Sequence, residues 1–221
     1  MAKHLKPLSV TSKKRVSAFF DTITDKEITA QKRYWILKYP QTQQEIRNRW
    51  MFAYASVHTS WENNVNQYNQ LKNKRLCDYS DLLLRLTNSG GGMHNLKAKG
   101  LFHFGCMWRG NYSRFTQKPD KWTKSRNELA SELMQISKAK TSFAYEMIWP
   151  LECQAVCLDR HILRMYGQDP DESPKPADYD RMEKHWCSLS RKRNVPPFIA
   201  RCVAWDRLNN ETTSHYWAKV L

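Results

Sequence analysis

Two side chains that could do chemistry together, the amine of Lys140 and the carboxylate of Asp159, lie nineteen residues apart. Lys138 and Lys140 stand at the start of a predicted helix, where unpaired backbone N–H groups already carry partial positive charge. A buried lysine near other cations loses its proton more readily, and a neutral amine is a nucleophile. A nearby carboxylate could orient that amine or stabilise a developing positive charge. Taken singly, Lys140 could equally be a surface lysine and Asp159 a helix cap.

Helices must position both side chains, and apolar residues at three- and four-residue steps predict the first of them over 42–57. Ser60 and Asp78 are suited to cap the next two, and the glycine run 90–92 closes the second of these. A capping box at Ser125 and Glu128 predicts the start of a helix that runs through Ile136, Pro150 ends a helix over 139–149, and Asp159 precedes a helix over 160–166. Further helices are expected over 93–108, 177–191 and 197–208. A basic loop is expected over 111–122 and a last turn at Tyr216 and Trp217.

Glycine is scarce, and alternating runs of Val, Ile and Thr are few, so the sequence predicts an all-α fold. Three regions are expected. A basic N-terminal arm and helix over 1–43 pack with the C-terminal lobe. A helical lobe over 44–166 carries the lysine and the aspartate, and a Pro-rich linker with C-terminal helices over 167–221 completes the second lobe.

The charge balance predicts the partner: 36 Lys and Arg against 21 Asp and Glu leave a net charge of +15. Such a surface binds polyanions through counterion release, so double-stranded DNA is the expected partner and a merely soluble basic surface the alternative. No apolar stretch reaches the length of about 18 residues that a membrane span needs, and residues 1–20 lack the apolar core of a signal peptide. We expect a monomer without a membrane partner, in the cytoplasm or at the nucleoid, a viral source being left open.

Cys153, Cys157 and His161 recur at four-residue steps, a spacing that could present metal ligands on one helix face. Pro150 and Asp159 interrupt that helix, and no second closely spaced cysteine pair exists. A structural role is therefore favoured for these three residues, and neither a metal nor a cofactor is expected.

Four segments together carry a resemblance to a known family. Residues 140–144 (Lys-Thr-Ser-Phe-Ala) and 158–164 (Leu-Asp-Arg-His-Ile-Leu-Arg) resemble the signature of the helix-hairpin-helix DNA glycosylases, which include endonuclease III and the 8-oxoguanine glycosylases. Residues 54–60 resemble the segment at which a side chain enters the duplex, and residues 95–100 resemble a Lys-Ala helix that leads to the hairpin. The resemblance covers residues 44–166.

One departure concerns the hairpin itself. The family's hairpin usually reads Leu-Pro-Gly-Val-Gly before the lysine, whereas residues 134–138 here read Met-Gln-Ile-Ser-Lys. Glycine lets a backbone adopt positive φ and approach a phosphate closely. We therefore expect a reshaped hairpin, with Lys138 contacting the phosphate through its charge.

The resemblance implies two helical lobes around a cleft, with the hairpin element at the seam, and an enzyme that flips one nucleotide out of duplex DNA. Lys140 would attack the sugar C1′ and form a Schiff base, and Asp159 would stabilise the positive charge and help activate the nucleophile. His58 would fill the vacated stack. The full set of expected DNA contacts is His58, Lys97, Lys99, Ser137, Lys138 and Arg164. Candidates for the base pocket, with core packing as the alternative, are Trp61, Phe143, Trp149, Trp205 and Asp206.

Three functions remain open at this point. The first is a DNA glycosylase, with or without strand-cleaving lyase activity. The second is a transferase on the same scaffold that attaches an amine or amino acid to an activated thymine-derived base. The third is a DNA-binding protein without catalysis. The sequence does not indicate which base would be recognised.

Overall fold

The computed structural model of the protein describes residues 9–169, 171–210 and 220. Within these residues the chain forms twelve α-helices and no strand, so the all-α prediction is confirmed. The described residues divide into two units, the first combining 9–38 with 150–210 and the second combining 39–149 with Val220. The cleft between two lobes stays a prediction.

The first unit contains five helices: α1 Val10–Thr22, α2 Asp25–Leu37, α10 Arg160–Met165, α11 Pro176–Arg193 and α12 Pro197–Leu208. Helix α12 packs against α2, α10 and α11, and α1 packs against α10 and α11. Large aromatic side chains fill the core, with Phe20 edge-on to Trp186 and Trp35 edge-on to Phe198. Burying rings of this size supplies much of the apolar area that holds a small helical unit together.

The second unit contains seven helices: α3 Gln43–Ala55, α4 Trp61–Leu71, α5 Tyr79–Asn88, α6 His94–Asn111, α7 Ser113–Thr116, α8 Trp122–Glu132 and α9 Lys138–Ile148. Helix α3 is central, because it packs against α4, α6, α7 and α9 and buries every residue from Asn48 to Ala55. A helix that is buried on all sides near its C-terminus needs apolar residues all round, which its sequence provides.

Three of the four helix caps predicted from local side-chain chemistry are confirmed. Ser60 accepts a hydrogen bond from the backbone N–H of Asn63 and Asp78 accepts one from Asp81. Asp159 caps α10, as predicted from its position. Helix α12 also begins and ends where the sequence predicted, behind Pro196 at its N-cap. The hydrogen bond of such a cap joins residues within one turn, so these three caps could be recognised in the sequence.

Three local predictions are wrong. Residues 10–22 form helix α1 with Ser9 as its cap, so this part of the predicted basic arm is a regular helix. The loop predicted over 111–122 contains the short helix α7. Helix α8 begins at Trp122, and Ser125 lies inside it, hydrogen-bonded at 2.9 Å to the Tyr145 hydroxyl instead of capping. The last turn predicted at Tyr216 and Trp217 lies outside the described residues.

The boundaries of the units differ from the predicted regions. The sequence places 150–166 with the lobe of Lys140, whereas the structure groups them with the N-terminal helices. The physical reason is that α10 packs against α1 and α12, contacts between segments far apart in the chain that periodicity does not reveal. None of the described helices is long and apolar enough to cross a membrane.

Candidate active site

The carboxylate of Asp159 accepts four hydrogen bonds in the first unit. Its Oδ1 accepts from the backbone N–H groups of His161 and Ile162, both at 3.0 Å, which is the cap of α10. Its Oδ2 accepts from Nη1 of Arg201 at 2.9 Å and from Nε1 of Trp205 at 2.7 Å. Two acceptor positions on each oxygen are thereby filled, so the carboxylate is held in one orientation as an anion.

Arg201 and Trp205 reach Asp159 from one face of α12, because residues four apart project from the same side of a helix. The Arg201 side chain is 4% exposed and lies over the Phe198 ring at 5.2 Å. The Trp205 ring packs edge-on against His161 at 4.7 Å. Arg201 is not among the residues predicted from the sequence, where its only local signal is the four-residue spacing from a tryptophan in the C-terminal helix.

Lys140 lies in the first turn of α9 in the second unit, half-buried, with Nζ 5.6 Å from the centroid of the Phe143 ring. The N-cap residue Ser137 makes no side-chain cap, and the first turn holds Lys138 and Lys140 but no acidic residue. Positive side chains at this end oppose the helix dipole and cost about 0.3–1 kcal/mol each. The charges of both lysines therefore oppose the dipole at this end of α9.

Lys97 on α6 is buried in the second unit, only 1% exposed. Its ammonium donates to the backbone oxygen of Ala55 at 2.9 Å and to Oε1 of Gln67 at 2.7 Å. Burial, and secondly the charge of Lys140, lower the pKa of Lys97 to about 8. The predicted DNA contact of Lys97 is therefore corrected, because its ammonium is enclosed and held by neutral acceptors. Lys99, two residues on, is exposed.

The hairpin between α8 and α9 keeps a left-handed residue although glycine is absent. Gln135 has φ +62°, a conformation that costs a residue with a side chain about 1–2 kcal/mol. Gly100 of α6 lies against this hairpin, and a Cβ there would stand 2.9 Å from the backbone oxygen of Met134 and 2.9 Å from the Tyr54 ring. The close approach of α6 thus holds the hairpin in place.

His58, the residue expected to enter the duplex, lies exposed in the turn between α3 and α4 with φ +45°. The glycine run 90–92 packs on the same turn, because a Cβ on Gly91 would stand 3.1 Å from Oγ1 of Thr59 and 2.6 Å from Nε2 of Gln67. Gln67 also donates to the backbone oxygen of Gly90 at 2.5 Å. The buried Lys97 and Gln67 therefore support the turn that presents His58.

The residues expected to line the base pocket fall into three places. Trp61 and Phe143 both contact the Phe52 ring, at 5.5 and 5.9 Å between centroids, and Phe143 adjoins Lys140. Trp149 is 5% exposed and packs edge-on against Tyr145 and Trp122, which supports the core-packing alternative for this residue.

The other two pocket candidates lie in the first unit, on α12. The Trp205 indole is bound to Asp159. Asp206 is buried and accepts a hydrogen bond from the side-chain amide of Gln31, so its predicted place in the base pocket is corrected. Neighbours in the sequence therefore point to different partners, as expected for adjacent residues of a helix.

The remaining DNA-contact candidates differ in exposure. Ser137 is exposed and Lys138 half-buried at the start of α9, and Arg164 is exposed in the last turn of α10. A cavity of about 320 Å³ in the second unit is lined by none of the predicted site residues; its lining includes Arg47, Arg75, Cys77 and Trp108. The chemistry predicted from sequence therefore does not involve this cavity.

Solved structures of DNA glycosylases share this fold. The 8-oxoguanine glycosylase/lyase of Methanocaldococcus jannaschii, crystallised with a 15mer DNA containing 8-oxoguanine, matches with a TM-score of 0.71 and 13% identity over 90% of this chain and 97% of that chain. Another structure of the 8-oxoguanine glycosylase from that organism matches with a TM-score of 0.66 and 14% identity over 90% and 94% of the two chains. The 8-oxoguanine DNA glycosylase of Thermotoga maritima matches with a TM-score of 0.66 and 13% identity over 91% and 96%.

No protein-family model matches the sequence, and no curated protein sequence matches it either. The likeness is therefore one of fold, and the chain has the fold of the helix-hairpin-helix DNA glycosylases. The resemblance read from residues 44–166 of the sequence is confirmed at this level.

Proposed function

We propose that the protein is a DNA glycosylase with lyase activity, in which Lys140 is the nucleophile and Asp159 stabilises positive charge on the sugar. The observation that carries the proposal is the position of these two residues in a glycosylase fold. Lys140 stands in the first turn of the helix behind the hairpin, and Asp159 is the N-cap of α10. A reactive amine and a fixed carboxylate are what displacement at an anomeric carbon requires.

The proposed reaction begins when the basic protein binds duplex DNA and one nucleotide is flipped out of the stack. The neutral Lys140 amine attacks C1′ with its electron pair, and the bond from C1′ to the base breaks, so the base leaves with that bond's electron pair and takes up a proton. The adduct loses a proton from nitrogen, and the nitrogen electron pair then forms the C1′=N bond of a Schiff base while O4′ leaves with the C1′–O4′ pair and takes up a proton. Loss of the proton at C2′ then expels the 3′ phosphate and cleaves the strand.

Asp159 supports the first step as an anion near the cationic sugar, a role that needs no change in its four hydrogen bonds. Of the predicted pocket residues, Phe143 adjoins Lys140 and Trp61 contacts the same Phe52 ring, so these two are our candidates to stack on a flipped base. The first substrate to test is 8-oxoguanine, because the proteins of similar fold are named as 8-oxoguanine glycosylases.

The experiment is borohydride trapping on a duplex with one 8-oxoguanine, with parallel duplexes that carry an abasic site or other damaged bases. The wild-type protein should form a covalent complex, and Lys140→Ala should abolish it. Lys138→Ala is the matched control, since it removes a cation from the same helical turn but leaves the nucleophile. The glycosylase proposal would be abandoned if no duplex gave released base or trapping, or if Lys140→Ala trapped as well as the wild type.

A further inference from the structure

We propose that Arg201 and Trp205 are positioning residues, which clamp the Asp159 carboxylate so that it acts as a stabiliser of positive charge and not as a proton acceptor. The inference rests on the proposed function, because it assigns a role to the surroundings of Asp159 in that reaction. It also predicts that Arg201 and Trp205 act on the rate only through Asp159.

The geometry limits what the carboxylate can do. A carboxylate offers about four lone-pair positions, and here four donors occupy them at 2.7 to 3.0 Å. To accept a proton from substrate or from an amine, Asp159 would have to give up one of these donors. To stabilise a positive charge through space, it would have to give up none.

The two donors of α12 are themselves fixed. Arg201 is buried, and the Phe198 ring lies against its guanidinium. The His161 ring lies edge-on to Trp205, and His161 also supplies one of the backbone N–H groups that bind Asp159. Helices α10 and α12 therefore hold the carboxylate from two sides, and a side chain locked in this way needs no reorganisation during the reaction.

The contacts of Arg201 and Trp205 also distinguish Asp159 from a residue that only caps a helix. Two backbone donors suffice to cap α10, and a cap needs nothing on the second oxygen. The second oxygen binds a buried guanidinium and an indole from α12, 42 and 46 residues away in the chain. A carboxylate held so firmly on the oxygen that the cap does not use is suited to a function in which its orientation matters.

The experiment measures base release under single-turnover conditions, together with the Kd for the same duplex. Arg201→Met should slow base release about ten- to hundredfold, the effect of losing one hydrogen bond to a charged group, with little change in Kd. Trp205→Phe should slow it less, because a neutral donor is lost. Arg201→Lys should recover part of the rate, since it keeps a cation beside the carboxylate.

Arg207→Met is the matched control, because Arg207 lies on the same helix and pairs with Glu27 instead of Asp159. It should lose its ion pair and keep the rate. Arg201→Met is then repeated in an Asp159→Asn background, where a residue that acts through Asp159 should have almost no further effect. Equal slowing in both backgrounds, or slowing by Arg207→Met to the same extent, would overturn the clamp.

Failure of the proposed function gives a different result. In that case the wild-type protein itself releases no base and traps no duplex, and the comparison between backgrounds has no rate to measure. An active wild type with additive effects of Arg201→Met and Asp159→Asn would leave the glycosylase in place and remove only the positioning role.

Discussion

At the N-terminus of α10 a carboxylate accepts four hydrogen bonds, whereas at the N-terminus of α9 two lysines stand beside backbone N–H groups without a side-chain cap. The first arrangement agrees with the helix dipole and the second opposes it. Asp159 therefore has a structural reason to be where it is. The charge of Lys140 opposes the dipole of its helix, so the two residues differ in how their charges relate to the helices that carry them.

The largest expected effect is the difference in the free energy of unfolding between variants at these two helix ends. Asp159→Ala removes the cap of α10 and leaves the buried Arg201 guanidinium without its carboxylate, which should cost about 3–5 kcal/mol. Lys140→Ala should change the free energy of unfolding by less than about 1 kcal/mol. Urea denaturation of both variants measures the difference. Equal losses would show that the two helix ends do not differ as described.

A second prediction concerns the buried cation next to Lys140. Because the folded-state pKa of Lys97 is about 8, below the usual value of a lysine, the folded protein gives up this proton more easily than the unfolded chain. Its contribution to stability should therefore rise as the pH rises from about 8 to about 10.4, by up to about 3 kcal/mol.

The measurement compares the free energy of unfolding of the wild type and of Lys97→Met across this pH range. The variant has no such group, so the difference between the two should grow in favour of the wild type as the pH rises. Parallel curves from pH 8 to the upper end of the range would contradict the burial of a titrating ammonium at this place.

A third prediction tests how the hairpin is held. Gly100→Ala should cost about 1–3 kcal/mol, because its Cβ would meet the Met134 backbone and the Tyr54 ring. Gly110→Ala, on the same helix but with no atom near the added Cβ, is the control and should stabilise the helix by up to about 1 kcal/mol. Thermal unfolding measures both. A loss at Gly110 as large as at Gly100 would indicate a general intolerance of α6.

The smallest expected effect lies at Gln135, the left-handed residue of the hairpin. Gln135→Gly should raise the free energy of unfolding by about 1 kcal/mol or less, because glycine adopts positive φ without steric cost. Gln135→Ala keeps the strain and should bring no gain. If alanine stabilised the protein as much as glycine, the strain would not be located in this residue.

Much of the local structure could be predicted from the sequence. Ser60, Asp78 and Asp159 were identified as caps because the chemistry of a cap involves a polar side chain and the next three residues. Ser125 was misread for the same reason, since its sequence context fits a capping box while its hydroxyl bonds to Tyr145, twenty residues away. The burial of Lys97 could not be predicted from the sequence either. Lys99 is also a lysine of α6, but it lies on a different side of the helix and is exposed.

The sequence by itself determined the all-α class, most helix ends, the basic surface that favours DNA and the lysine and aspartate on which the proposed reaction depends. The class, the helix ends and the charge follow from residue types and from spacings within a few turns, whereas the lysine and the aspartate, nineteen residues apart, were identified through the resemblance to a known family. Only the tertiary structure decided that Lys97 is enclosed, that Asp206 binds Gln31 and that Arg201 and Trp205 meet Asp159. Such contacts depend on how helices pack across long separations in the chain, and packing involves the shapes of all the residues at the contact at once.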